Sequence, residues 1–310
     1  MLRVRDGGNR RRARLTIGIA LAALCVHGGQ APGAVAASPA AEVRAYWTPE
    51  RMREAIPIGP LAEGPAAARG GETIAKRVNH PRQSPNRTHG KVFFSDGPVD
   101  YVCSGTSLRA PSGSVVWSAG HCVYGGSLLG GGFFENWEFV PAYKNGKAPF
   151  GEWPAEDLKA TRRWKNSNEF CPPGGLLGCG NVAHDFGAAV VSRTGGEKLQ
   201  DAVGGRGIVF GAERDKVYRP FGYPQEAPFD GEHMYRCRSP YKGGDPSAGD
   251  PPPMRIRCDM TGGSSGGGWV TGSGDVASVV SYGYEGEPNN LYGPYQGGSA
   301  RDLYDKVKGG

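Results

Sequence analysis

Ser265 lies in the run Thr261-Gly262-Gly263-Ser264-Ser265-Gly266-Gly267-Gly268-Trp269. Glycines on both sides of a hydroxyl let the backbone turn sharply and let its N–H groups face a reacting carbonyl without obstruction, which a nucleophilic serine requires. A flexible Gly/Ser linker has the same composition, but the flanks argue against one. Cys258 precedes the run, Trp269-Val270 closes it, and Val276 to Tyr282 reads as a buried strand. No Lys follows the glycines, so the run is not a phosphate loop. A second candidate is His121 in Ser118-Ala119-Gly120-His121-Cys122, placed after the apolar run Val115 to Trp117. An imidazole held at a strand end can act as a general base near neutral pH. A buried carboxylate is needed to orient it, and Asp185 qualifies, because His184-Asp185-Phe186-Gly187 leads into the apolar run Ala188 to Val191.

The elements that must position these three side chains are short apolar runs separated by Gly, Pro, Asn and Asp. They include Val92-Phe94, Val115-Trp117, Glu138-Val140, Ala188-Val191, Ile208-Phe210 and Val276-Val280. Such spacing, without long helical periodicity, predicts an all-β sandwich or barrel from about residue 91 onward. Near the C-terminus Ser299 has capping-box spacing to Asp302, and Leu303 and Val307 share a face, so a short helix is expected there.

The net charge of +6 over 310 residues is unevenly spread. Residues 1–14 hold six Arg and one Asp, and residues 15–90 hold eight basic and five acidic groups. Residues 91–310 carry 22 basic against 24 acidic groups, so the working domain has no excess charge to grip phosphates. Nucleic acid is therefore not expected as a partner. Residues 1–36 read as a signal peptide: a basic n-region, the apolar stretch Leu15–Val26, and a small-residue cleavage site at Ala34-Val35-Ala36. Sec and twin-arginine export both remain open, Arg11-Arg12 being the twin-arginine hint. Leu24 before Cys25 is too large for a lipid-attachment site, and no second long apolar segment exists. The expected product is secreted, extracellular, monomeric and without stable membrane association. Losing Cys25 with the leader leaves Cys103, Cys122, Cys171, Cys179, Cys237 and Cys258, an even set that predicts disulfides and fits no zinc spacing. Residues 37–90 read as a pro-segment or a disordered linker, with one short helix capped by Thr48, entered at Pro49 and stopped before Pro57.

The motifs Ser-Ala-Gly-His121-Cys, Asp185-Phe-Gly-Ala and Gly263-Ser-Ser265-Gly-Gly, in the order His, Asp, Ser, resemble those of the trypsin/chymotrypsin-type serine endopeptidases. The closest likeness is to the secreted bacterial, glutamyl-endopeptidase-like group. Subtilisin-like and α/β-hydrolase enzymes place the three residues in other orders. The resemblance covers roughly residues 91–308. It implies two perpendicular six-stranded β-barrels, the first about 91–195 and the second about 205–298, with the site in the cleft between them. It implies His121, Asp185 and Ser265 as catalytic residues, Gly263 and Ser265 as the oxyanion hole, and a Cys103–Cys122 bridge at the His loop. Proximity in sequence then pairs Cys171 with Cys179 and Cys237 with Cys258. Substrates would be proteins or peptides, with no metal or organic cofactor. By the same likeness Ser281, Tyr282 and Gly283 form the substrate-binding edge. Asp259, six residues before Ser265, stands where trypsin has its pocket carboxylate, which leaves Arg/Lys preference open. Val280, near where glutamate-specific relatives carry a histidine, argues against glutamate preference. Ser264 replaces the Asp that pairs with a new N-terminus in trypsin-like zymogens, so that latch is not expected. A catalytically silent binding protein or adhesin of the same fold is the alternative.

Overall fold

The computed structural model describes residues 37–58, 73–125, 131–166, 181–284 and 286–310. All of these lie in one compact unit, Ala37–Gly310. The expected leader, Cys171 and Cys179 lie outside the described residues.

Six strands form the first barrel: β1 (His89–Asp96), β2 (Val99–Ser107), β3 (Val115–Ser118), β4 (Glu135–Pro141), β5 (Trp153–Ala160) and β6 (Gly187–Val191). The order β2-β1-β4-β5-β6-β3 is closed by β3 pairing back onto β2 through Thr106–Trp117 and Ser107–Val116. Every pairing within this ring is antiparallel. Closure removes the exposed strand edges that an open sheet would carry. Alternation along the strands fills the interior: Val92 and Phe94 of β1 join Phe139 of β4, Val116 of β3 and Val190 of β6 in one apolar cluster.

The second sheet runs β11-β10-β7-β8-β9-β12, with β7 (Val217–Gly222), β8 (Ser239–Gly244), β9 (Met254–Arg257), β10 (Gly268–Val270), β11 (Val276–Val279) and β12 (Asn290–Gly293). An isolated Tyr282–Tyr292 bridge joins the chain after β11 to β12, so the two ends of this run also meet. Tyr218, Ile256, Trp269, Ala277 and Leu291 pack its core. The predicted strands at Val92, Val115, Glu138, Ala188 and Val276 are all present. Ile208–Phe210 forms no strand; Ile208 makes a single bridge to Val276.

Residues 37–58 and 73–90, expected as pro-segment or linker, are built into this unit. Helices α1 (Pro39–Tyr46) and α2 (Pro49–Glu54) start at the caps Ser38 and Thr48, each followed by Pro at the first helical position. The second is the helix that the sequence predicts; the first was not anticipated. Trp47, Met52 and Ala55 pack against Phe93, Val102 and Val140 on the outer side of β1, β2 and β4, and against Phe221 and Tyr223 of the second sheet region. Ile56–Pro57 runs parallel to β2, and Lys76–Arg77 pairs with Tyr235–Arg236. A C-terminal helix, Gly298–Val307, buries Ala300, Leu303 and Val307. Its cap is Gly297 rather than Ser299, whose hydroxyl instead meets His184 Nδ1 at 2.8 Å.

Candidate active site

The chain leaves β3 at Ser118 and turns through the short 3-10 segment Gly120–Cys122 that carries His121. Cys122 is bonded to Cys103 of β2, which fixes the turn against the barrel wall. Gly120 is required by crowding: a side chain there would stand 2.7 Å from the Trp164 ring and 2.9 Å from Asp185 Oδ1. Asp185 follows a second 3-10 turn, Val182–His184, at the entry to β6. Because β6 pairs with β3, the two turns open side by side, with Gly187 opposite Ser118.

The Asp185 carboxylate is buried and accepts three hydrogen bonds. Oδ1 takes the backbone N–H of His121 at 2.9 Å, and Oδ2 takes His121 Nδ1 at 2.7 Å and the Ser281 hydroxyl at 2.6 Å. Donation from Nδ1 leaves the neutral imidazole with its lone pair on Nε2. That Nε2 is buried and has no hydrogen-bond partner among the described residues. A base held by its backbone and its ring, with its second nitrogen uncommitted, is arranged to take a proton.

Ser265 arrives from the second sheet region, in the loop before β10. Its carbonyl accepts from Ser104 N at 2.7 Å, and Ser104 follows the bridged Cys103. Gly266 leaves no room for a Cβ, which would collide with Ser118 Oγ and stand 3.0 Å from Ala119 N. The serine loop therefore rests directly on the residues leading to His121. No hydrogen bond joins His121 Nε2 to Ser265 Oγ among the described residues; such contacts commonly tighten only once substrate is bound.

Two amides of this loop are free. Neither Gly263 N–H nor Ser265 N–H donates to a described residue, whereas the carbonyl at the other end of each peptide is held. Gly262 O accepts from Gln225 N at 2.7 Å and Ser264 O from Gly267 N at 3.0 Å. In a planar trans peptide the N–H points opposite to its C=O. Pinning the two carbonyls therefore turns both N–H groups toward the open side of the loop. Gly263 adopts φ of +90°, which disfavours any side chain, and a Cβ there would stand 2.5 Å from Tyr223 O. Its own carbonyl accepts from Ser104 Oγ at 2.8 Å. Ser264 donates to Thr261 O at 2.6 Å within the loop.

The expected substrate-binding residues fare differently. Ser281, Tyr282 and Gly283 adjoin the site, but the Ser281 hydroxyl is committed to Asp185 and the Tyr282 hydroxyl to Asp245 at 2.7 Å. Burial raises the Asp245 carboxyl, but hydrogen bonds from Ser247, Tyr284 and Tyr282 outweigh it and hold the group below the ordinary aspartate range. Asp259 is buried, and its oxygens accept Ile74 N at 2.9 Å and Ala75 N at 2.7 Å. Satisfying two backbone donors of a packed N-terminal segment is the reason for its burial. The Cys237–Cys258 bridge is present ahead of the serine loop. Cys103, His121 and Cys122 stand close enough to suggest a metal, but both sulfurs are in the disulfide and supply no thiolate. Sequence reasoning missed Ser104 and Gln225, which orient the loop, and the role of Ser281. Ser104 carries no local signal, being one polar residue in a strand.

Comparison with solved structures places this geometry in a family. Protease Anisep from Arthrobacter nicotinovorans is 37% identical, with a TM-score of 0.66, covering 76% of this chain and 100% of its own. The thermostable serine protease AL20 from an extremophilic microorganism is 36% identical, with a TM-score of 0.63, covering 72% of this chain and 97% of its own. A Glu endopeptidase, 16% identical with a TM-score of 0.59 over 77% of this chain and 99% of its own, shares the fold. No family model matches the chain, and none of the curated proteins does. With more than a third of the aligned residues identical to those of two serine proteases over nearly their whole lengths, the chain belongs to the trypsin/chymotrypsin-type serine proteases and is a peptidase.

Proposed function

We propose that the protein is a secreted serine endopeptidase that works through His121, Asp185 and Ser265 and an acyl-enzyme intermediate. The observation that carries this reading is the buried His121–Asp185 pair at 2.7 Å beside a loop whose Gly263 and Ser265 amides donate to no described residue. In this mechanism Ser265 Oγ attacks the peptide carbonyl carbon as its proton passes to His121 Nε2. Asp185 holds the tautomer and offsets the charge on the imidazolium. The two free amides receive the developing oxyanion, a donor of this kind being worth roughly 10²–10³ in rate. The C–N bond then breaks, the amine leaves with the proton from His121, and water repeats the sequence to free the acid and regenerate Ser265. With the Asp259 oxygens committed to Ile74 and Ala75, this reading assigns no residue preference to that carboxylate. Export through the leader in residues 1–36, and action as a monomer on protein or peptide substrates, complete the proposal.

The test is covalent labelling by a fluorophosphonate together with hydrolysis of a panel of chromogenic peptides. Label on the wild type and none on Ser265→Ala, with turnover lost in parallel, is the expected result. Peptide hydrolysis that survives Ser265→Ala overturns the assignment.

A further inference from the structure

Lys91 is a charged residue buried to 1% exposure in the middle of β1. Its ammonium donates to Gln225 Oε1 at 2.8 Å and to Gly231 O at 3.1 Å, and lies 5.2 Å from the Phe93 ring centroid and 5.0 Å from that of Tyr143. Burial lowers its pKa to about 8, against the raising influence of Glu232 and Asp230. The group thus stays mostly protonated at neutral pH. Gln225 is the hub of this arrangement. Its side-chain oxygen takes Lys91, its side-chain nitrogen donates to Ala55 O at 2.6 Å, and its backbone N–H holds Gly262 O at 2.7 Å. Gln225 Cβ also stands 3.2 Å from where a side chain on Gly263 would begin. The neighbouring Glu226 N–H donates to Thr261 Oγ1 at 3.1 Å, so two successive residues brace the serine loop.

We propose that Lys91, acting through Gln225, is a positioning residue for the oxyanion site: it holds the Gly262–Gly263 peptide in the orientation that presents Gly263 N–H to substrate. This rests on the reading of Gly263 N–H as an oxyanion donor. The physical basis is that one peptide plane has Gly262 O at one end and Gly263 N–H at the other. If Gln225 loses its hold the peptide can rotate, and rotation costs the transition state a donor without removing any contact to the rest of the substrate. A Lys in a barrel strand also does nothing for core packing that a Met would not do, so its burial calls for a polar purpose. The far end of the strut, Ala55 O, belongs to the segment that packs over the first barrel, so that segment bears on the site as well.

The experiment compares wild type, Lys91→Met, Gln225→Ala and the double variant with a chromogenic peptide and a peptide boronic acid that binds as a transition-state mimic. We expect each single variant to lower kcat about 10-fold or more while KM stays within about twofold. The boronic acid should weaken by the same factor as kcat, and the double variant should be no worse than the worse single one. Gln225→Asn, which shortens the reach by one methylene, supplies the reading should a larger change unfold the chain. A folded Lys91→Met or Gln225→Asn with unchanged kcat overturns the proposal, as does a loss confined to KM or losses that multiply in the double variant. If the wild type itself is not labelled at Ser265, the oxyanion reading falls, and the strut with it. Normal labelling with silent variants sinks the strut alone.

Discussion

Glu138 offers a stability test whose sign is fixed by its surroundings. It sits in β4 opposite Phe93, has no exposure, and neither carboxyl oxygen has a partner among the described residues. Burial pushes its pKa well above the ordinary value of 4.5, the charge of Glu152 pushes the same way, and Arg44 opposes. The folded protein therefore binds a proton here that the unfolded chain releases once the pH passes the ordinary value. Stability from this group is fully present below about pH 4.5 and declines as pH rises toward the elevated folded value. The decline is about 1.4 kcal/mol per pH unit while the folded state holds that extra proton. Glu138→Met keeps the volume and removes both the titration and the unpaired oxygens, which cost about 1–3 kcal/mol. Urea unfolding of wild type and variant from pH 5 to 8 is the assay. Glu152, common to both, cancels to first order. The variant should be the more stable, and its advantage should widen by about 1.4 kcal/mol per pH unit over the interval where wild-type Glu138 stays protonated. Parallel stability curves would show that the carboxyl is paired or hydrated, and the reasoning would fail.

Three further perturbations have defined outcomes. Ser281→Ala removes one of three donors to Asp185; a hydrogen bond to a charged group is worth about 1.5–3 kcal/mol. The expected result is a kcat/KM at least about 10-fold lower, and an unchanged value would mean that Ser281 only lines the cleft. Gly263→Ala places a methyl 2.5 Å from Tyr223 O at φ of +90°. Loss of one oxyanion donor predicts kcat lower by roughly 10²–10³ with the fold intact by circular dichroism. Trp47→Ala empties the contact over Phe93 and removes the bond from Trp47 Nε1 to Asn136 O at 2.6 Å. Thermal unfolding should show a loss of about 3–5 kcal/mol, and a loss under about 1 kcal/mol would mean that the N-terminal segment is not part of the folded unit.

The three residues proposed for the chemistry stand out in the sequence because they sit in local environments that carry a signal. His121 is announced by small residues and a cysteine, Asp185 by the apolar strand behind it, and Ser265 by glycines that its loop needs. Strands buried on both faces, such as Ala188–Val191 and Val276–Val279, were equally plain. What escaped reading depends on contacts between segments distant in sequence. Trp153–Ala160 reads as a mixed polar run, yet β4 and β6 pair with it on either side. Ile208–Phe210 looks like a strand by composition, but only Ile208 makes a bridge. Asp259 stands at the expected spacing from Ser265, but the spacing does not reveal that Ile74 and Ala75 reach its oxygens from 185 and 184 residues away.

The same consideration explains why the packing of residues 37–58 and 73–90 is not legible in the sequence. In β1 and β4 the residues facing away from the barrel interior are Lys91, Phe93, Glu138 and Val140, paired Lys91 to Val140 and Phe93 to Glu138. Read as a sequence, Lys91 and Glu138 mark that face as solvated, because water is the ordinary environment of both groups. The chain instead lays Trp47, Met52 and Ala55 over part of it and brings Tyr223 of the second sheet region against the rest. Two formal charges are thereby taken out of water, and they are handled differently. Burial lowers the Lys91 pKa only to about 8, with Glu232 and Asp230 opposing the fall, and Gln225, Gly231 and two rings surround its ammonium, whereas Glu138, with no donor among the described residues, is pushed toward the neutral acid. The charged group with partners is the one tied to the serine loop. The group with no partner among the described residues answers only to stability, which is why a change at Lys91 is expected in kcat and a change at Glu138 in the unfolding curve.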